Sequence, residues 1–259
     1  MARATIWKGI IHFKNTEVPV KLHTAVKEER IQFHLLHKRD QVRLRQQMVC
    51  VYEKKPVPAE EQCKGFEVEE GKYIIVDPED LEQSTPESSR MIEVHEFVKT
   101  EQIDPIFLGR LYYLEPDIPD IHGKGYNALV GVLEEMDVEG ICTWTMRKRS
   151  YLGALQAHGK ILRLNTLRYA DEVIPVESLK LQDVSLSEKE LKIGINLIDQ
   201  LTVPFDPQKF ENEHQNKLQE MIEKKARGEK VVVLRPRRLK PTESDQLLRA
   251  LEASLKKAA

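Results

Sequence analysis

A period of two runs through the first half of this chain, and it narrows the possible folds more than any other feature. Val18, Val20 and Leu22 alternate with Pro19, Lys21 and His23. Side chains two apart share a face of an extended strand, so this pattern predicts a strand with one buried side. Residues 5–13 are apolar and β-prone, and residues 31–36 and 42–52 read as further strands. In the last of these Arg43 and Arg45 share the face opposite Val42 and Leu44. Residues 73–76, 91–98 and 106–114 continue the series, punctuated by Pro56, Pro58, Pro78, Pro86, Pro105, Pro116 and Pro119. With 259 residues, the chain is long enough for one large β-rich domain with extensions.

The second half changes character. Residues 126–136 predict the first good helix, with Leu129, Val130 and Leu133 on one side. Residues 140–147 and 151–157 read as a strand pair around the basic run Arg147-Lys148-Arg149, and residues 160–164 add another strand. From Ser185 the pattern is helical, with Ser187 and Glu190 at capping-box spacing. Leu191, Ile195 and Ile198 form one apolar stripe, and Ile193, Leu197 and Leu201 form another. A helix apolar on two sides must pack between partners, which points to a docked or exchanged arm. Asp206-Pro207 supplies an N-cap and a first-turn proline for a helix carrying Phe210, His214, Leu218, Met221 and Ile222 to near Gly228. Residues 229–241 are a basic, proline-bearing linker. A last amphipathic helix follows, with Thr242 and Asp245 at capping-box spacing and Leu247, Leu248, Leu251 and Leu255 on one face. It is too short to be stable alone, so it must fold back or bind something; its detachment by the linker favours a partner-binding peptide.

Charge is segregated along the chain. The net charge is only −2. Yet residues 37–55 carry six Lys/Arg against two Asp/Glu, and residues 224–259 carry eleven against four. Residues 56–120 carry five against seventeen. Such segregation can give one face a positive field while the rest stays acidic, although the plain alternative is that the charges are simply solvated.

Local motifs for catalysis are nearly absent. Gly123-Lys124-Gly125 with Ala128 matches a dinucleotide fingerprint in letters, but no strand–turn–helix unit surrounds it, so a turn is expected. There is no phosphate-binding P-loop and no nucleophile elbow. His34 and His37 fall on opposite faces of their expected strand, and Cys50 and Cys63 lack a second pair, so no metal and no cofactor is expected. The three cysteines, Cys50, Cys63 and Cys142, suit a reducing cytoplasm. No apolar run is long enough for a membrane span, and the N-terminus lacks the uninterrupted apolar core of a signal peptide.

What remains is electrostatic. Lys38, Arg39, Arg43, Arg45, Lys54 and Lys55 form one basic cluster, and Arg147, Lys148 and Arg149 form another. Aromatic residues make up only 6% of the chain, which disfavours base-stacking modules and favours contact with duplex phosphates.

An ordered series of motifs resembles one family along essentially the whole chain, the bacterial Ku proteins. It opens with Ile6-Trp7-Lys8-Gly9 and Val18-Pro19-Val20-Lys21-Leu22, then Phe33-His34-Leu35-Leu36-His37, Val49-Cys50 and Lys64-Gly65-Phe66-Glu67. Asp104-Pro105-Ile106, Tyr112-Tyr113-Leu114-Glu115-Pro116-Asp117, the run Leu167-Arg168-Tyr169-Ala170-Asp171-Glu172-Val173 and the stretch from Glu190-Leu191-Lys192 to Phe205-Asp206-Pro207 follow. The resemblance implies a mixed β+α fold: a β-barrel core over 1–184, an extended β arch at about 30–95 bridging DNA, and a helical dimerisation arm over 185–228. Residues 229–259 would then be a basic linker and a short ligase-binding helix. Two subunits would form a ring that a double-stranded DNA end threads. The implied role is non-enzymatic end joining with the ATP-dependent ligase D, in the cytoplasm at the nucleoid.

Carried over by position, Lys38, Arg39, Arg43, Arg45, Lys54 and Lys55 fall in the arch, and Arg147, Lys148 and Arg149 at a strand turn facing the channel. Leu191, Ile195, Ile198, Phe210, Leu218 and Met221 fall in the dimerisation arm. Leu247, Leu248, Leu251 and Leu255 fall in the ligase-binding tail. The acidic 56–120 segment is expected to face mostly away from DNA. Two departures matter: many relatives have a second cysteine three residues after the one matching Cys50, where this chain has Glu53, and some extend into a long lysine-rich tail, whereas this sequence ends Lys256-Lys257-Ala258-Ala259, so tail-assisted DNA bridging is expected to be weak. The rival readings are a sequence-specific DNA-binding regulator, which would need a recognition helix, and a lyase acting at damaged DNA ends through a lysine.

Overall fold

Seven strands close into a barrel, and the alternation described above is what fills it. The computed structural model describes residues 5–27, 31–83, 89–180 and 187–228. The chain divides into two units, one comprising residues 1–28 and 34–176, the other residues 29–33 and 177–259. In the first unit the strands are β1 (Trp7–Phe13), β2 (Thr16–Thr24), β3 (Lys64–Glu69), β4 (Lys72–Val76), β5 (Met91–Lys99), β6 (Leu108–Pro116), β7 (Val138–Met146), β8 (Arg149–His158) and β9 (Ile161–Leu167). Helices α1 (Pro78–Gln83) and α2 (Pro119–Met136) interrupt them. The barrel order is β1-β2-β6-β9-β8-β7-β5, while β3 and β4 form a separate two-stranded sheet. All barrel pairings are antiparallel except the one between β1 and β5, which is parallel and closes the ring.

Closure leaves no barrel strand with an open edge and gives every alternate side chain a shared interior. Val18, Val20 and Leu22 of β2 are buried, as are Ile11, Leu114, Leu155, Leu162 and Leu164 from neighbouring strands. At the crowded wall, a Cβ on Gly153 would lie 2.4 Å from the Trp144 ring and 2.6 Å from the Asn165 carbonyl. Only glycine lets Trp144 lie there, stacked on Tyr151 with ring centroids 5.2 Å apart.

Helix α2 buries Tyr126, Leu129, Val130 and Leu133 in the same core. It starts at Pro119, well before the expected residue 126, with proline in its first turn where no backbone donor is needed. Gly123 and Gly125 therefore lie inside a helix, not in the expected turn. Its far end turns on Asp137 in the left-handed region, at φ 50, and Lys99 Nζ donates to the freed Met136 carbonyl at 2.6 Å. Tyr126 ties the helix to the barrel. Its hydroxyl donates to the Leu114 carbonyl at 2.6 Å and accepts from the Leu162 amide at 2.8 Å, so it sits in the ladder between β6 and β9. Burial pushes this phenol above its ordinary pKa, partly offset by the Leu162 amide.

The excursion between β2 and β5 departs from expectation. Residues 31–36 and 42–52 form no strands. Isolated bridges Leu36↔Arg43 and Val49↔Pro56 hold them as two loops, and β3, which the alternation did not predict, pairs with β4. The physical reason is lack of a core. None of the described residues from 25 to 90 is buried, and Leu35, Val42, Leu44 and Met48 are all more than half exposed. Without a sheet to join or a face to cover, apolar alternation does not produce a ladder. Likewise residues 105–107 form a 3-10 turn before β6 begins at Leu108.

In the second unit, α3 (Glu188–Leu201) carries the predicted capping box: Ser187 Oγ accepts from the Glu190 amide, and the Glu190 carboxylate accepts from the Ser187 amide. Leu191, Ile195 and Ile198 are exposed, whereas Ile193 and Leu197 are half-buried. Asp206-Pro207 opens only a 3-10 turn, Pro207–Lys209, and not the following helix. That helix, α4 (Glu213–Ala226), is capped by Asn212, whose side chain accepts from the Gln215 amide. Phe210 thus precedes α4, exposed and stacked on Phe205 at 5.9 Å, while Leu218 and Met221 on α4 are half-buried. Residues 247, 248, 251 and 255 lie outside the described residues. Among the described residues no helix is long and apolar enough to cross a membrane.

Replacing Tyr126 by Phe strands a buried carbonyl and a buried amide. We expect a loss of about 1–3 kcal/mol of unfolding free energy, read from urea melts, with the native fold retained.

Candidate nucleic-acid interface

The basic residues divide into those the fold uses and those it leaves open. Lys8 and Lys21, side by side across β1 and β2, both pair with Asp117, at 3.2 and 3.3 Å. Lys8, with Lys21 adding to it, holds that carboxyl below the usual carboxylate range. Arg168 donates to the carbonyls of Ile106 and Leu108, each at 2.5 Å. These cations hold strand ends together. By contrast Lys38, Arg39, Arg43, Arg45, Lys54 and Lys55 are all exposed and make no ion pair among the described residues.

Two turns present this second group. In the first, the Gln41 amide donates to the His37 carbonyl, the His37 amide to Val42, and Lys38 and Arg39 lie between. Asp40 pins it: its carboxylate accepts from the Val42 amide at 3.1 Å and stands 2.8 Å from His37 Nδ1. Those two contacts, the amide foremost, keep the Asp40 carboxyl below its ordinary pKa. In the second turn the Lys54 amide donates to the Cys50 carbonyl and the Cys50 amide to the Lys55 carbonyl. The Glu53 amide points at Cys50 Sγ from 3.5 Å, and with Tyr52 it lowers the thiol pKa. Lys54 sits in the left-handed region at φ 59. Arg43 and Arg45 lie on the arm between the turns. They were expected to share a strand face, but there is no strand to define one.

The second cluster is built differently. Met146 pairs with Arg149 across β7 and β8, leaving Arg147 and Lys148 as a two-residue hairpin turn. Both have positive φ, 53 and 62, the geometry in which Asn-Gly is favoured because a Cβ is strained there. Placing two long cations at such positions costs on the order of 1 kcal/mol each. Arg147, Lys148 and Arg149 are all exposed. The strain is thus kept at a barrel end that presents positive charge.

The turn has neighbours that sequence reasoning missed. A cavity of about 840 Å3 is lined by Lys148 and Arg149, by Lys64 of β3, and by Glu60, Asp77 and Glu82. Lys64 escaped notice because its surroundings in sequence are acidic. The acidic segment comes up to the turn here: Glu82 Oε1 lies 3.9 Å from Lys148 Nζ.

Among the described residues no three His, Cys, Asp or Glu side chains are grouped as a metal-binding set. Burial pushes the Cys142 thiol up to about 12, far from a reactive thiolate. Glu139 is buried, one carboxylate oxygen accepting from Gln156 at 2.9 Å, and desolvation with Asp137 nearby raises its pKa. No nucleophile accompanies it in any of these contacts.

Comparison with known proteins supplies the context for these features. The Ku family model, described as the Ku70/Ku80 beta-barrel domain, matches residues 12–193. Non-homologous end joining protein Ku 2 of Geotalea uraniireducens (strain Rf4) is 75% identical over 259 residues, covering all of both chains. Non-homologous end joining protein Ku of Solibacter usitatus (strain Ellin6076) is 33% identical over 98% of this chain and 94% of its own. The protein of that name from Bacillus subtilis (strain 168) is 31% identical over 97% of this chain and 81% of its own.

The hairpin geometry gives a direct test of strain. Replacing Arg147 by Asn together with Lys148 by Gly is expected to raise unfolding stability by about 1–2 kcal/mol, measured by chemical denaturation. A loss of stability would show that these side chains are held by something other than the turn.

Proposed function

Because the chain belongs to the Ku family, we propose that it binds the ends of double-stranded DNA without regard to sequence, in non-homologous end joining. The observation that carries this reading is the set of exposed cations on and between the two turns of the β2–β5 excursion, which make no ion pair among the described residues, joined by the strained cationic β7–β8 turn. Cations with no internal partner are available to displace counterions from phosphate, and that contact carries no sequence information. None of them lies on a helix, so nothing here resembles a recognition helix delivering side chains to base edges. Scarce aromatics agree with a duplex rather than single strands.

The finer reading is a homodimeric ring without catalytic activity of its own. In it the β2–β5 excursion crosses the duplex, and Lys38, Arg39, Arg43, Arg45, Lys54 and Lys55 face phosphates with Arg147, Lys148 and Arg149. A ring binds a polyanion despite a net charge of −2 because only its lining must be positive. The exposed stripe Leu191, Ile195 and Ile198 of α3 and the exposed Phe210, with half-buried Leu218 and Met221 on α4, support an arm that docks on a second copy. An unpartnered apolar stripe of this kind is unfavourable in water until covered. The tail residues Leu247, Leu248, Leu251 and Leu255 would then recruit ligase D.

Competition between linear and covalently closed circular duplex of one sequence tests end entry. Preference for the linear form is expected, and equal capture of the closed circle overturns the reading. Arg43→Glu with Arg45→Glu should weaken binding to all duplexes alike and flatten the salt dependence by about 0.9 for each phosphate no longer neutralised. A separate variant, Leu247→Asp with Leu251→Asp, should bind DNA normally but fail to stimulate the ligase in an end-joining assay. Unchanged stimulation removes the tail assignment.

A further inference from the structure

We infer that Glu82 is an internal anion that competes with DNA phosphate for Lys148, so that engaging a duplex at the β7–β8 turn exchanges one ion pair for another. This rests on the reading of the chain as a duplex binder. Three observations lead to it. Lys148 is the proposed phosphate contact that has a carboxylate partner, at 3.9 Å, whereas the six cations of the β2–β5 excursion have none among the described residues. The pair stands at a cavity of about 840 Å3 whose lining sets Glu60, Asp77 and Glu82 against Lys64, Lys148 and Arg149. The acidic side is a built element: α1 begins at Pro78, and the Asp80 carboxylate accepts from the Asp77 amide at 3.1 Å, fixing the turn from which Glu82 projects.

The strength of the pair suits exchange. Both side chains are about three-quarters exposed, 74% for Lys148 and 76% for Glu82. Such a pair is weak, so phosphate displaces it without opening the fold. Displacement leaves Glu82 close to the duplex, where it must take up a cation from solution or repel the phosphates. Either way the release of counterions from DNA is partly offset. The consequence is a tempered grip: Lys148 holds phosphate less tightly, and its contribution to the salt dependence is smaller than that of an unpaired lysine.

The test is a fluorescence-anisotropy titration of a short linear duplex over a series of salt concentrations, using the full chain. Glu82→Gln should bind about threefold tighter at low salt, with a salt dependence steeper by about 0.9. The gain should largely vanish in a Lys148→Gln background. Glu134→Gln, the same charge change on exposed α2 residue Glu134, should leave binding as in the wild type. Binding by Glu82→Gln that matches the wild type, an equal gain from Glu134→Gln, or an undiminished gain without Lys148 would each overturn the inference. A wild-type chain that binds no duplex sinks the functional reading and this inference together; duplex binding indifferent to Glu82 sinks the inference alone.

Discussion

The parallel pairing of β1 with β5 is the constraint on which the rest of the first unit depends. Ile10, Ile11 and His12 align with Met91, Ile92 and Glu93, and this short seam turns an open sheet into a closed barrel. Closure makes one interior out of seven strands, so Ile11 and Ile92, far apart in sequence, are both fully buried. It also returns the chain, after the long excursion that follows β2, to β1, the hairpin partner of the strand it left. The excursion is therefore pinned at its root even though it has no core of its own.

That arrangement separates two physical tasks. The barrel supplies stability through burial, with α2 contributing four buried side chains and the Tyr126 hydroxyl completing the β6–β9 ladder. The excursion buries nothing in the described residues and is organised by short-range backbone bonds, two isolated bridges and one small sheet. Freed from packing, its side chains can be chosen for charge. The same freedom leaves Val51 and Tyr52 among the most exposed apolar residues of the molecule, at 84% and 94%.

The cationic turn of the barrel works on the opposite principle. Arg147 and Lys148 occupy left-handed backbone positions on a hairpin fixed by β7 and β8, so their Cα positions are rigid and the cost is local strain. The nearby carboxylates of Glu60, Asp77 and Glu82 make that end of the barrel mixed in charge instead of uniformly positive.

Much of this was legible from local pattern alone. The alternation in β2, the strand pair around Arg147-Lys148-Arg149 and the Ser187–Glu190 capping box each depend on residues close in sequence, and all stand in the structure. Reading failed where the outcome depended on partners distant in sequence. Residues 31–36 and 42–52 have strand-like alternation but no sheet to complete them. Residues 119–125 are drawn into α2 although their glycines argue against a helix, because the following turns are anchored in the barrel core. Sequence by itself determined which residues could be buried and which charges were available, since hydropathy and charge belong to each side chain. Only the tertiary structure decided that β1 meets β5, that Tyr126 enters a strand ladder and that Glu82 faces Lys148, because each is a contact between segments whose meeting depends on how the barrel closes.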